Sequence, residues 1–249
     1  MRNCKCERVF EMQVKYRRIL LKLSGEMLKG QASACHDEAV LAGVAARLAG
    51  VVALGVEVGV VIGGGNIFRG LTGAGKGTDR VLGDTMGMLA TIINALAVQN
   101  ALERAGVPAL VMTAQQMPQV AQHFDARKAR KALARGQVVL FAGGTGNPFF
   151  STDSGAALRA AEIGADAVLK ATKVDGVYTA DPKRDPTAVR YDRLSCEEAL
   201  ARRLNVMDAA AFALCRDNHI PIVVFDFNAP DSLRRVVCGE PGFGTVVAD

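Results

Sequence analysis

No stretch of this 249-residue chain reads as apolar over the ~20 residues a helix needs to cross a bilayer. The longest candidate, residues 39–61, is broken by Arg47, Glu57 and several glycines. Histidine is scarce, and His36, His123 and His219 are too scattered to suggest a metal site. Six cysteines include one close pair, Cys4 and Cys6, with no second close pair to complete a zinc site. Cys35, Cys196, Cys215 and Cys238 read as free thiols of a reducing compartment. Residues 1–15 lack the apolar core of a secretory signal. A dense arginine–lysine run with interleaved aromatics is also missing. The richest basic patch, residues 127–135, reads as one face of a short helix, so nucleic acid is not expected as the main ligand. The net charge of +5 is mild for this length. These absences predict a soluble cytoplasmic protein with no membrane partner.

Half of the residues are hydrophobic and 22% are charged, a composition that can bury a core. Short β-rich runs alternate with longer helical stretches. Strands are expected at residues 19–23, 57–62, 109–113, 137–142, 167–171 and 221–225, with a final edge strand at 244–247. Helices are expected at 37–54, 79–105, 125–134, 153–163, 195–203, 208–218 and 231–237. Asp37 is placed as an N-cap, and Gly106 and Gly164 as stops. Such alternation implies crossover units around a mainly parallel sheet, a three-layer α/β/α architecture. Residues 1–15 read as a dispensable N-terminal extension, and Met12 as an alternative start. Residues 16–249 read as one domain. The helix of residues 86–102 is apolar beyond one buried face, which fits a subunit interface or a fully buried central helix.

Parallel sheets bind ligands at the carboxyl ends of their strands, and four glycine-containing segments fall there. Lys22-Leu23-Ser24-Gly25 offers one positive charge and a close backbone to a phosphate. Gly63-Gly64-Gly65 costs backbone entropy to order, which makes sense if amides must approach an anion unobstructed. Arg69 adds a forked cation suited to phosphate oxygens. The following run, residues 70–77, imitates a Walker A loop. It carries Gly77 where the magnesium-binding hydroxyl belongs and no strand precedes it, so it is rejected as a P-loop. Residues 143–153 supply glycines, hydroxyls and an amide for a second anionic group, with at least one of Phe149 and Phe150 expected to pack in the core. Residues 170–178 deliver Thr172, Lys173 and Tyr178 to the same rim, where Tyr178 could pack against a purine.

In order, KLSGE at Lys22, GGGNIFRG at Gly63, GDTMGMLAT at Gly83, TGNPFFSTD at Thr145 and ATKVDGVYTADP at Ala171 resemble the amino acid kinase family. Within it they are most similar to the bacterial branch that phosphorylates UMP, and the likeness spans nearly the whole chain. The resemblance implies the amino acid kinase fold and transfer of the γ-phosphate of ATP to UMP in pyrimidine nucleotide biosynthesis. It implies Mg2+ brought with ATP, a homohexamer, allosteric control and UTP as an inhibitor. By matching position, Lys22, Leu23, Ser24, Gly25, Gly65 and Arg69 would hold ATP phosphates. Thr172, Tyr178 and Asp181 would hold its adenosine. Gly64, Asp84, Thr145, Gly146, Asn147, Pro148, Phe149, Phe150, Ser151 and Thr152 would hold UMP, with Asp84 on the ribose hydroxyls. Lys22, Arg69 and Asp153 would be the catalytic set, with Asp153 organising the cations and magnesium. The family often carries a glycine-containing segment tied to GTP activation after the position of Lys29-Gly30. Here Gln31-Ala32-Ser33-Ala34-Cys35-His36 stands instead, so GTP activation is not implied. Rival readings are a kinase of the same fold acting on an amino acid or carbamate, and a nucleotide sensor without turnover.

Overall fold

A computed structural model describes residues 13–249 except 31–33, 70–76, 78, 183, 203 and 205. Most of the expected N-terminal extension, the rejected P-loop-like run through residue 76 and the start of the divergent segment after Gly30 therefore lie outside the described residues. The chain runs β1 (Arg18–Leu23), α1 (Glu26–Lys29), α2 (Glu38–Val52), β2 (Glu57–Ile62), α3 (Arg80–Arg104), β3 (Ala109–Thr113), β4 (Gln122–His123), α4 (Ala126–Leu133) and β5 (Val138–Ala142). It continues with α5 (Thr152–Ile163), β6 (Ala167–Thr172), β7 (Arg193–Leu194), α6 (Cys196–Ala201), α7 (Ala209–Asp217), β8 (Ile222–Asp226), α8 (Ser232–Val237) and β9 (Thr245–Val247).

The strands form one sheet in the order β4-β3-β5-β2-β1-β6-β8-β9-β7. Every pairing is parallel except β8 with β9. Central strands are mostly apolar because helices cover both faces, with Lys22 in β1 and Lys170 in β6 among the exceptions. Alternation splits β1 cleanly. Ile19, Leu21 and Leu23 join one core with Leu48 of α2, Val98 of α3 and Val236 of α8. Leu20 joins the opposite core with Ala129 of α4, Ala157 of α5 and Phe212 of α7. This is the three-layer α/β/α arrangement expected from the sequence.

The helix ends follow the caps expected from the sequence. Asp37 accepts from Ala39 N and Val40 N at the start of α2, and Gly164 takes a left-handed conformation (φ 67, ψ 51) that ends α5. Four features differ. α1 and the two-residue strands β4 and β7 have no sequence signature, because tertiary pairing rather than periodicity creates them. β9 is not an edge strand: it lies between β8 and β7. Lys15 is not loose extension, since Lys15 N and Tyr16 N both donate to Val237 O, at 2.9 and 3.1 Å. Finally, among the described residues α3, and not residues 39–61, matches a spanning segment by length and composition. Its inner face packs in the core through Ile92, Ala95, Val98 and Leu102, as a helix of a three-layer fold does.

Candidate active site

β1 and β6 are neighbours in register, with Lys22 opposite Lys170. Both lysines point to the face covered by α5, whose second residue is Asp153. The result is a carboxylate held between two ammonium groups. Lys22 Nζ lies 2.8 Å from Asp153 Oδ1, and Lys170 Nζ lies 2.8 Å from Asp153 Oδ2. All three side chains are at most 15% exposed. Lys170 Nζ also donates to the Val206 carbonyl. Burial alone would raise the Asp153 carboxyl, but the two lysines outweigh it and hold it below the usual carboxylate range. Burial pushes the Lys170 ammonium down. Asp153 pulls it back only in part, and Lys22 pushes it lower.

Beside this triad, the glycine turn after β2 is squeezed between two other elements. A Cβ at Gly25 would lie 2.3 Å from both Gly63 O and Asn66 Oδ1, so the β1 and β2 turns touch through backbone. A Cβ at Gly64 would lie 2.7 Å from Gly87 O and 2.8 Å from Ala90 Cβ, so α3 also rests on this turn. Gly63 N donates to Leu23 O at 3.0 Å, whereas Gly64 and Gly65 N–H meet no protein acceptor among the described residues. Two open amides and two lysines are the kind of donors an anion site needs.

Gly64 and Gly65 line a cavity of about 720 Å³ with Arg69, Asp84, Met88, Thr145, Asn147, Phe149, Phe150, Ser151, Thr152 and Asp208. The far wall, residues 143–152, is tied down at several points. Asp84 Oδ2 accepts from Phe149 N at 2.8 Å and from Arg80 Nε at 2.7 Å. Burial works to raise the Asp84 carboxyl, and these two bonds hold it below its ordinary value. Buried Arg159 lies 3.8 Å from the Phe124 ring centroid and reaches Gly144 O. Ser151 caps α5 through Asp153 N and Ser154 N and donates to Asp208, which caps α7 and accepts from Ser154 Oγ at 2.9 Å.

The sequence-expected residues sort into three groups. Gly64, Gly65, Arg69, Asp84, Thr145, Asn147, Phe149, Phe150, Ser151 and Thr152 meet around the cavity, and Gly146 and Pro148 belong to the same loop. Lys22, Ser24 and Gly25 adjoin it through Asp153 and the β2 turn. Thr172, Tyr178 and Asp181 do not line it. Thr172 Oγ1 donates to Val174 O and Phe225 O, Tyr178 OH donates to Asp175 Oδ1, and Asp181 lies near Arg184. Three details correct the expectation. The Leu23 side chain is fully buried, so only its backbone is at the turn. Phe149 and Phe150 are 64% and 55% exposed rather than core, because the positive φ of Phe149 and its amide bond to Asp84 turn the loop outward. Arg69 Nη2 pairs with Glu26 at 2.6 Å, a partner that its place in the motif did not suggest.

Lys170, Asn94 and Asp208 were not singled out by sequence. Each carried a signal: a lysine inside an apolar strand, an asparagine on the core side of an apolar helix, and an aspartate at a helix start.

Three comparisons with known proteins agree with this geometry. The model of the amino acid kinase family matches residues 17–226. The chain is 56% identical over 227 residues to the uridylate kinase of Ectopseudomonas mendocina, covering 91% of this chain and 92% of that one. Among solved structures, the UMP kinase from Bacillus anthracis superposes with a TM-score of 0.91 at 40% identity, over 94% of this chain and 96% of the other. The UMP kinase from Ureaplasma parvum gives 0.89 at 38% identity, over 95% and 100%.

Proposed function

The chain belongs to the amino acid kinase family, and from that premise we propose that it transfers the γ-phosphate of ATP to UMP, giving ADP and UDP. The observation that carries the chemistry is the Lys22–Asp153–Lys170 triad at the carboxyl ends of β1 and β6, next to the open amides of Gly64 and Gly65. The choice of UMP rests on the relatives.

The acceptor phosphate has a second pKa of about 6, so it is a dianion at neutral pH and needs no general base. The barrier is repulsion between two anions, and the remedy is fixed positive charge and alignment. Asp153 lets two ammonium groups sit side by side where they would otherwise repel. Lys22 would touch the transferring phosphoryl group, Gly64 and Gly65 would donate to phosphate oxygens, and Arg69 would swing from Glu26 to a phosphate. The loop of residues 143–152 would hold UMP, with Asp84 exchanging part of its Arg80 contact for the ribose. Thr172, Tyr178 and Asp181 would hold adenosine outside the main cavity.

Magnesium would enter on the ATP phosphates, lowering their charge. Among the described residues no three His, Cys, Asp or Glu side chains cluster as a cage. Both Asp153 oxygens are already paired with lysines, so Asp153 fits a role beside the metal better than direct ligation.

Exposed Leu82, Met86, Leu89 and Ile93 follow helical spacing along α3 and suit burial against a second copy, in line with the hexamer that the family resemblance implies. A coupled assay with ATP, magnesium and each nucleoside monophosphate in turn tests the assignment. Selective turnover of UMP is expected, and ATP consumption with an amino acid or carbamate instead would refute it.

A further inference from the structure

Asn94 is fully buried in the middle of α3 and commits its whole amide to hydrogen bonds. Nδ2 donates to Gly63 O at 2.7 Å and to Asn66 Oδ1 at 2.8 Å. Oδ1 accepts from Asn66 Nδ2 at 3.1 Å and lies 2.7 Å from His36 Nε2. Asn66 Nδ2 also donates to Cys35 O at 2.8 Å. An amide oxygen carries no hydrogen, so Nε2 of His36 must be the donor, in the neutral ring or the charged one.

The target of this network is the peptide between Gly63 and Gly64. It is trans, so holding the Gly63 carbonyl toward Asn94 aims the Gly64 N–H the opposite way. Gly64 lines the cavity. The direction of the Gly64 N–H is thus set from behind the turn by one buried amide. That amide is oriented in turn by a half-buried histidine just before α2.

We propose that His36 is a positioning residue for phosphoryl transfer, acting through Asn94 to fix the Gly63–Gly64 peptide. The proposal rests on the reading of this turn as a phosphate site. Among the described residues His36 forms no hydrogen bond to the cavity lining or to the lysine triad; its hydrogen bond is to Asn94. Without it, Asn94 Oδ1 keeps only the longer bond from Asn66, and the amide that holds Gly63 O loses its shortest constraint on the oxygen side. Losing one such bond should loosen alignment rather than abolish it, an effect of about five- to tenfold in rate.

The test uses the full chain as wild type, His36→Leu and His36→Gln, the last because a glutamine amide can place an N–H near the position of Nε2. Melting temperature and oligomeric state are matched first. His36→Leu should lower kcat about five- to tenfold with both KM values within about twofold, and His36→Gln should recover most of the loss. In nucleotide-free protein, amide hydrogen exchange at Gly63, Ile67 and Phe68, whose N–H groups are bonded within this turn, should speed up in the leucine variant and return toward wild type in the glutamine variant. Wild-type kcat in the leucine variant overturns the proposal, and so do equal losses in both variants. If the wild-type protein fails to phosphorylate UMP, the functional assignment falls. The exchange contrast then judges the positioning role alone, and identical exchange in all three proteins would overturn it.

Discussion

The carboxyl ends of β1, β2 and β5 and the excursion that leaves β6 lie on the same rim of the sheet, yet they are held in different ways. The first region is cross-braced by residues far apart in sequence: Lys22 with Asp153, Gly25 against Gly63, Asn94 with Gly63, Asp84 with Phe149. The second, residues 173–192, is anchored at its base to residues 242–246, where Val177 N donates to Thr245 Oγ1 and Arg190 Nη2 to Gly242 O, while its outer part is held by neighbours. Tyr178 bonds Asp175, Thr187 bonds Asp185, and Asp181 faces Arg184. Chemistry that must align two anions needs the first kind of construction. Grip on a nucleoside can tolerate the second, because it contributes binding energy rather than alignment. Substitutions in the braced region should therefore act on kcat, and substitutions in the excursion on KM for ATP.

The largest effect should come from Lys22→Ala. Steady-state kinetics should show kcat lower by about a thousandfold, with UMP affinity by calorimetry within about threefold. Normal turnover would remove Lys22 from the chemistry and erase the contrast. Asp153→Asn should come next, costing about a hundredfold in kcat and also about 3–5 kcal/mol of stability, because two ammonium groups are left facing each other without a counter-charge. A melting curve like that of wild type would contradict the triad's tension.

Lys170 gives the comparison a pH signature. Its folded pKa lies below that of an ordinary lysine, so in the alkaline range the folded protein sheds this proton before the unfolded chain does. kcat should fall on the alkaline side at a pH below the ~10.4 of a free lysine, while the contribution of Lys170 to stability rises with pH over the same window. A kcat profile flat to pH 10 would show that the proton on Lys170 does not matter. Asp84→Asn should narrow the preference for ribo- over deoxyribonucleotide acceptors by several-fold, and an unchanged ratio would argue against its ribose contact. The smallest effect is expected from Tyr178→Ala: KM for ATP raised about three- to tenfold and kcat nearly unchanged. A kcat defect larger than the KM defect would break the distinction between the two regions.

The braced region was also the more legible in sequence. Apolar runs such as residues 57–62 and the N-cap at Asp37 defined strands and helices closely, and the glycine turns after β2 and β5 marked the rim. What stayed hidden depends on register or on distant pairing. Lys170 gains meaning only when β6 lies beside β1 with Lys22 opposite it. Asn94 looks like an ordinary polar residue until α3 crosses the turn at Gly63. Asp208 is readable as a cap, but its bonds to Ser151 and Ser154 join segments more than fifty residues apart. β4 and β7 are too short for alternation to register and exist through their partners. Phe149 and Phe150 misled because aromatic residues usually fill cores, and nothing local discloses the tether from Asp84 that turns them outward.

A crystal structure with UMP and a non-hydrolysable ATP analogue tests the central claim most directly. The account predicts the two facing phosphates bound together against Lys22 and the Gly64 and Gly65 amides, with UMP along the loop of residues 143–152. Phosphates seated elsewhere, with Lys22 still directed only at Asp153, would contradict it.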